Sequence, residues 1–201
     1  MRLVWSVVVL EKGLIVFEFF FGPKNPTRNW QRAGDLRLEF DLEQGSLNGV
    51  RLGETLDRLA SLGPVEDRSG LQHRAFGYFS LGLGVGCESD ENLIESFDII
   101  QKDPLAPEFR PYPGSVHYRG TSLDLAKLTE SDFVKEFGLP YWRDQDESEI
   151  ILFYEFPWRE WQVELRLDGT FNRLLVTSAP SMADYEQRKS YGVTKLWPPN
   201  A

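Results

Sequence analysis

Apolar residues recur along this chain at two spacings. Leu36, Leu38, Phe40 and Leu42 alternate with Arg37, Glu39, Asp41 and Glu43, the period-two pattern of a strand with one dry and one wet face. Strands are also predicted over 75–80, 83–87 and 93–100, and again over 149–156, 160–167 and 171–177. Ahead of each group lies a short stretch with helical spacing. Leu56, Leu59 and Leu62 mark a helix over 54–62; Phe133, Val134 and Phe137 mark one that starts at a capping-box-like Thr129 and Asp132. Gly63-Pro64 stops the first helix, and Gly138 with Pro140 stops the second. Helices of about three turns are unstable alone, so both are expected to lie on a sheet.

The two groups are copies. Gly63 and Gly138 lie 75 positions apart, Tyr78 and Tyr154 lie 76 apart, and Asp90 and Asp168 lie 78 apart. Three landmarks in one order indicate a repeated unit. Aligning the aspartates pairs Leu83, Val85 and Cys87 with Trp161, Val163 and Leu165 on the helix-facing side. Gly84 and Gly86 then fall opposite Gln162 and Glu164 on the outward side. The predicted fold class is α+β: two tandem helix-plus-antiparallel-hairpin repeats forming one curved sheet with helices on one face. Residues 35–100 form the first repeat and 115–178 the second. Between them, 101–114 is a stiff, Pro-rich connector. A C-terminal helix over 182–190, begun by Ser181 and stopped at Gly192, lies within a tail of 179–201, whose Trp197-Pro198-Pro199 is expected to pack back on the body.

Residues 1–34 are an apolar extension and a loop. Two intensely apolar runs, 3–10 and 14–21, are split by Glu11-Lys12-Gly13 and interrupted by Glu18. A membrane-spanning helix needs about 20 residues with few charges, and no small-residue cleavage site follows. The first reading is a β-hairpin turning at Glu11-Lys12-Gly13. A membrane or export segment, and a start placed too early, are the alternatives.

Helix, Gly-Pro stop, Tyr-bearing strand, hairpin, Asp turn and final strand together resemble the tandem α/β repeat of the β-lactamase-inhibitor-protein (BLIP-like) fold. Outer-membrane assembly lipoproteins of the SmpA/OmlA type carry one such unit. The resemblance covers 47–100 and 115–177. It implies two sheets joined into one curved surface, helices on the convex side, and a concave side open to a protein partner. It carries over no residue role. The lipoprotein branch would bring an export signal and a lipidated cysteine, and residues 1–22 hold no cysteine.

Composition narrows the functional classes. A formal charge of −9 with no basic stripe argues against nucleic acid as partner. Cys87 is the single cysteine, which leans towards a reducing, cytoplasmic setting, with membrane association or export as the alternative. It sits in an apolar strand beside Glu88 and reads as core rather than nucleophile. His73 and His117 stand apart, so no metal-ligand spacing exists. The glycines at 82, 84 and 86 run into acids instead of a helix N-terminus, which excludes a phosphate loop. They read as close packing or a bulge, or as a flat patch for a partner's backbone. No cofactor motif is present, and no Ser-centred elbow.

Aromatic residues make up 13% of the chain, including six Trp. They crowd the second repeat as Tyr141, Trp142, Tyr154, Trp158 and Trp161. Trp161 falls in the inward register. The candidate partner-binding residues are Tyr78, Trp142, Tyr154, Trp158 and Arg166, because Trp, Tyr and Arg dominate protein interfaces. The reading that follows is a non-enzymatic protein-binding module, inhibitor- or immunity-like, using the open sheet face towards an unknown protein partner. The alternative is an envelope-associated structural protein held at a membrane by its apolar start. An enzyme working through scattered acids is a third reading.

Overall fold

The computed structural model describes residues 25–88, 92–102 and 107–197. The expected hairpin over 1–22 lies outside them. The chain is α+β, with two sheets and few helices among the described residues. Its strands are β1 (Glu39–Asp41), β2 (Ser46–Leu47), β3 (Val50–Arg51), β4 (Ala75–Tyr78), β5 (Leu83–Cys87), β6 (Ile94–Ile100), β7 (Ser115–Tyr118), β8 (Thr121–Leu123), β9 (Trp142–Gln145), β10 (Glu149–Phe156), β11 (Arg159–Arg166) and β12 (Phe171–Thr177). Two α-helices are described, α1 (Glu130–Phe137) and α2 (Tyr185–Ser190).

The larger sheet has seven strands in the order β4-β5-β6-β12-β11-β10-β9, with every adjacent pair antiparallel. The central seam joins β6 to β12, with Phe97 opposite Val176. Alternation sends Leu83, Val85 and Cys87 of β5, and Trp161, Val163 and Leu165 of β11, into the main core. That core also takes Leu56, Leu59 and Leu62, together with Phe133 of α1.

A second sheet, not expected from sequence, has five strands in the order β3-β2-β1-β7-β8. It covers part of the same inner face: Phe40 of β1 meets Phe97 edge-on at 5.6 Å. Its β1–β7 pair is parallel, with Glu39 opposite Ser115. Of the strand expected over 36–42, only Glu39–Asp41 joins a ladder. Leu38, Phe40 and Leu42 are nonetheless buried, as the alternation required.

The first helix departs from expectation. It is a 3-10 helix, Leu56–Leu62, broken by non-helical backbone at Leu59. A 3-10 helix repeats every three residues, so Leu56, Leu59 and Leu62 stack on one line and all bury. The second helix is α-helical. The Thr129 N–H donates to Asp132 Oδ2 at 2.9 Å, the capping interaction read from sequence. Phe133 is buried, whereas Val134 and Phe137 are half-buried. Both helices end on a glycine at positive φ, Gly63 (φ 83) and Gly138 (φ 82).

The tail holds two pieces where one helix was expected. Asp184, in extended backbone, accepts from Gln187 N at 2.7 Å and restarts the chain as α2 after a 3-10 turn at Ser181–Ala183. This segment lies on the outer face of the large sheet, opposite the other helices. Met182 and Val193 form a second core with Tyr141 and Phe153, and Trp142, Ile151, Tyr191 and Trp197 pack at its border. The Pro-rich connector is docked: Tyr112 is buried, and its N–H donates to Ile100 O at 2.8 Å.

Candidate interaction site

The hairpin joining β10 and β11 turns at Pro157-Trp158, with Phe156 opposite Arg159 as the last pair of the ladder. Proline presets its own φ for the turn, and the next side chain, Trp158, projects outward at 53% exposure. Arg159 begins β11 in the inward register and is buried. Its guanidinium lies 4.1 Å from the Trp158 ring centre, 5.0 Å from Phe156 and 5.4 Å from Trp161. It donates through Nη1 to the Glu43 carbonyl, in the turn after β1. Burial draws its pKa down, and Glu43, Tyr118 and Asp41 oppose that shift. An arginine stays charged through such a change, so a fixed cation lies beneath the exposed indole.

A second turn completes the patch. Arg119 (φ 49) and Gly120 (φ 76) close the β7–β8 hairpin, both with positive φ, as a type I′ turn requires. The Arg119 guanidinium lies 5.0 Å from the Tyr118 ring centre, and its Nε is 3.9 Å from Glu43 Oε1. Most of the Arg119 side chain remains in solvent. Tyr118 in turn packs edge-on against Phe137 and Trp161, at 4.8 and 5.7 Å. Three turns from distant parts of the chain thus meet through Glu43 to present Trp158, Phe156, Tyr118 and Arg119 over the buried Arg159.

The other sequence candidates lie elsewhere. Tyr78 and Tyr154 are buried in the main core and offer no surface, because their strand parity points them inward. Burial raises the pKa of both hydroxyls, to about 12 for Tyr154, which donates to Gly138 O at 3.1 Å. Trp142 is half-buried at the edge of the second core. Arg166 ends β11 opposite Glu149, at the far end of the hairpin from Trp158. Trp158 is therefore the one candidate of the five within this patch. Arg159 and Arg119 were missed: Arg159 shares the inward parity of Trp161 but lies one residue ahead of the strand predicted over 160–167, and Arg119-Gly120 reads only as a turn.

The outer sheet face is less open than the sequence suggested. A Cβ on Gly84 would lie 2.9 Å from the Asp98 Cβ, and one on Gly86 2.3 Å from the Ser96 hydroxyl. These glycines therefore serve close packing between β5 and β6, not a bare patch. Beside them Arg173 donates to both Asp98 carboxylate oxygens, at 2.7 and 2.6 Å. Over β10 and its neighbours the C-terminal segment occupies the face.

A cleft of 690 Å³ opens between α1 and the ends of β9, β10 and β11. Its carboxylates are engaged. Glu130 accepts from Arg143 Nε at 2.5 Å, and Asp168 accepts from the Thr170 hydroxyl and N–H, which lowers its pKa. Cys87 is buried, and its thiol is pushed up to about 12, chiefly by that burial. His73 and His117 belong to different elements, the 3-10 turn Leu71–His73 and β7. No helix of the described residues is long and apolar enough to cross a membrane.

No protein-family model matches the chain, and no curated protein does. Among solved structures, it is similar to the crystal structure of a DUF4309 family protein (YjgB) from Bacillus subtilis. That similarity has a TM-score of 0.47 and 15% sequence identity, over 66% of this chain and 84% of the other.

Proposed function

We propose that the chain is a non-enzymatic protein-binding module, inhibitor- or immunity-like, that engages its partner through the patch around Trp158. The observation that carries this reading is a large indole left half in solvent over a buried, hydrogen-bonded guanidinium. Trp and Arg are the side chains whose truncation costs protein interfaces most, and an aromatic ring pre-seated on a fixed guanidinium loses little entropy on binding.

The scaffold in this proposal is a duplicated α/β unit of the BLIP-like kind. Four correspondences support it. Gly63 and Gly138 share φ and ψ to within a degree, 83 and −171 against 82 and −172. Isolated bridges Thr55↔Leu93 and Thr129↔Thr170 tie the start of each helix to the start of each final strand. The register shifts at Gly86/Cys87 in β5 and at Glu164/Leu165 in β11, the same offset that aligned the aspartates. Strands β4-β5-β6 and β10-β11-β12 run inward to a shared antiparallel seam.

The test is affinity capture from the native source with wild type, Trp158→Ala and Arg119→Ala, each checked for an unchanged melting transition. A hot-spot Trp is worth at least about 2 kcal/mol, so the dissociation constant of the recovered partner should rise roughly 30-fold or more on Trp158→Ala. Recovery of the same partner with equal affinity by both variants would remove the patch from the reading.

A further inference from the structure

The C-terminal segment closes over two carboxyls. Glu155 and Glu160 are directly opposite each other on β10 and β11, on the outer face. Glu160 is fully buried. The segment and the sheet supply few donors to the pair: Trp197 Nε1 donates to Glu155 Oε2 at 2.7 Å, and Met182 N to Glu160 Oε2 at 3.2 Å. Gln162 donates to the other Glu160 oxygen, and its amide also reaches the Ser181 hydroxyl at 3.0 Å. Glu155 Oε1 has no hydrogen-bond partner among these groups, though it is shielded from solvent. Two facing carboxylates with so few donors cannot both stay charged out of water.

We propose that residues 181–197 form a pH-sensitive latch: a proton held between Glu155 and Glu160 keeps the segment shut, and its loss frees the segment from the outer face. Opening uncovers Phe153, Ile151 and Trp142, an apolar strip on β9 and β10.

The other ionisable groups around the pair do not remove the requirement for a proton. Arg188 of α2 favours the ionised form, but its Nη1 is spent on the Met182 and Ala183 carbonyls, at 2.6 and 2.9 Å. Lys195 of the tail donates to the Tyr141 carbonyl at 2.6 Å. Tyr141 and Tyr191 have raised pKa values, chiefly from burial, and are neutral. From β12 the residue opposite Glu160 is the neutral Thr177. Burial first, and then the facing Glu160 carboxyl, push Glu155 up to about 9.

The closed form therefore holds a proton that an open, solvated carboxyl would release near its ordinary value of about 4.3. Closure is strongest below that value and weakens as pH rises, until the closed form itself ionises near 9.

The experiment is hydrogen exchange on the full chain between pH 6 and pH 9, corrected for intrinsic rates. The Arg188, Tyr191 and Val193 amides, bonded to Asp184, Gln187 and Arg188 carbonyls, should lose at least tenfold protection. Amides of β11 and β12 should not. Glu155→Gln keeps a neutral side chain opposite Glu160, and should hold the latch amides within twofold across the range. If that variant does not fold, Glu160→Gln is read the same way. Constant protection in wild type, equal loss across the whole sheet, or a loss that the glutamine variant retains would each overturn the latch.

Discussion

Replacing Phe133 by Ala asks whether α1 belongs to the core that joins the two sheets. Phe133 is the one fully buried side chain of α1, stacked on Phe171 of β12 at 5.7 Å and beside Phe137 at 5.8 Å. Truncating a buried Phe costs about 3–5 kcal/mol, which includes the loss of aromatic contacts worth roughly 0.5–1.5 kcal/mol. An eight-residue helix has almost no stability of its own. Losing its anchor should therefore undock α1 as well as lower global stability. Urea unfolding followed by circular dichroism should show a loss near 4 kcal/mol, a large share of the roughly 5–15 kcal/mol typical of a domain. Hydrogen exchange should show the α1 amides opening ahead of β11 and β12. Lys135→Ala, on the exposed side of the same helix, should stay within about 0.5 kcal/mol of wild type. A Phe133→Ala loss below about 1 kcal/mol, or α1 amides as protected as before, would show that the helix is held by something other than this ring.

Two glycines separate backbone strain from lack of space. Gly138→Ala meets nothing within 4 Å, so it should cost only the positive-φ strain, roughly 1–3 kcal/mol. Gly82→Ala adds a Cβ 2.3 Å from the Arg110 carbonyl and 2.5 Å from the Tyr112 N–H, and should cost clearly more; equal losses in urea would refute the steric account. The buried Cys87 thiol, pushed up to about 12, should resist thiol reagents at pH 8 until the protein unfolds. Labelling of native protein at the rate of a free thiol would contradict its burial.

Much of the large sheet was legible because burial on a strand has period two. The alternation at 83–87 and the Gly-Pro stops after both helices are local signals, and the boundaries Leu83–Cys87, Glu149–Phe156 and Phe171–Thr177 match the pattern. The inward parity of Tyr78 and Tyr154 was equally local, and it argues against placing them in an interface. β10 carried a further signal. Ile150, Ile151, Leu152, Phe153 and Tyr154 run on without alternation, the mark of a strand covered on both faces. Its second cover is the C-terminal segment.

The amino-acid order by itself determined which side of β5 and β11 faces the main core and where both helices stop, since both depend on residues a few positions apart. Only the tertiary structure decided the five-stranded sheet, the buried Arg159 beneath Trp158, and the closing of the tail over Glu155 and Glu160. Strands as short as Ser46–Leu47 and Val50–Arg51 hold too few residues to show a period. The Arg159–Glu43 and Trp197–Glu155 contacts join residues far apart in the chain. Their free energy exists only once the sheets have brought those residues together.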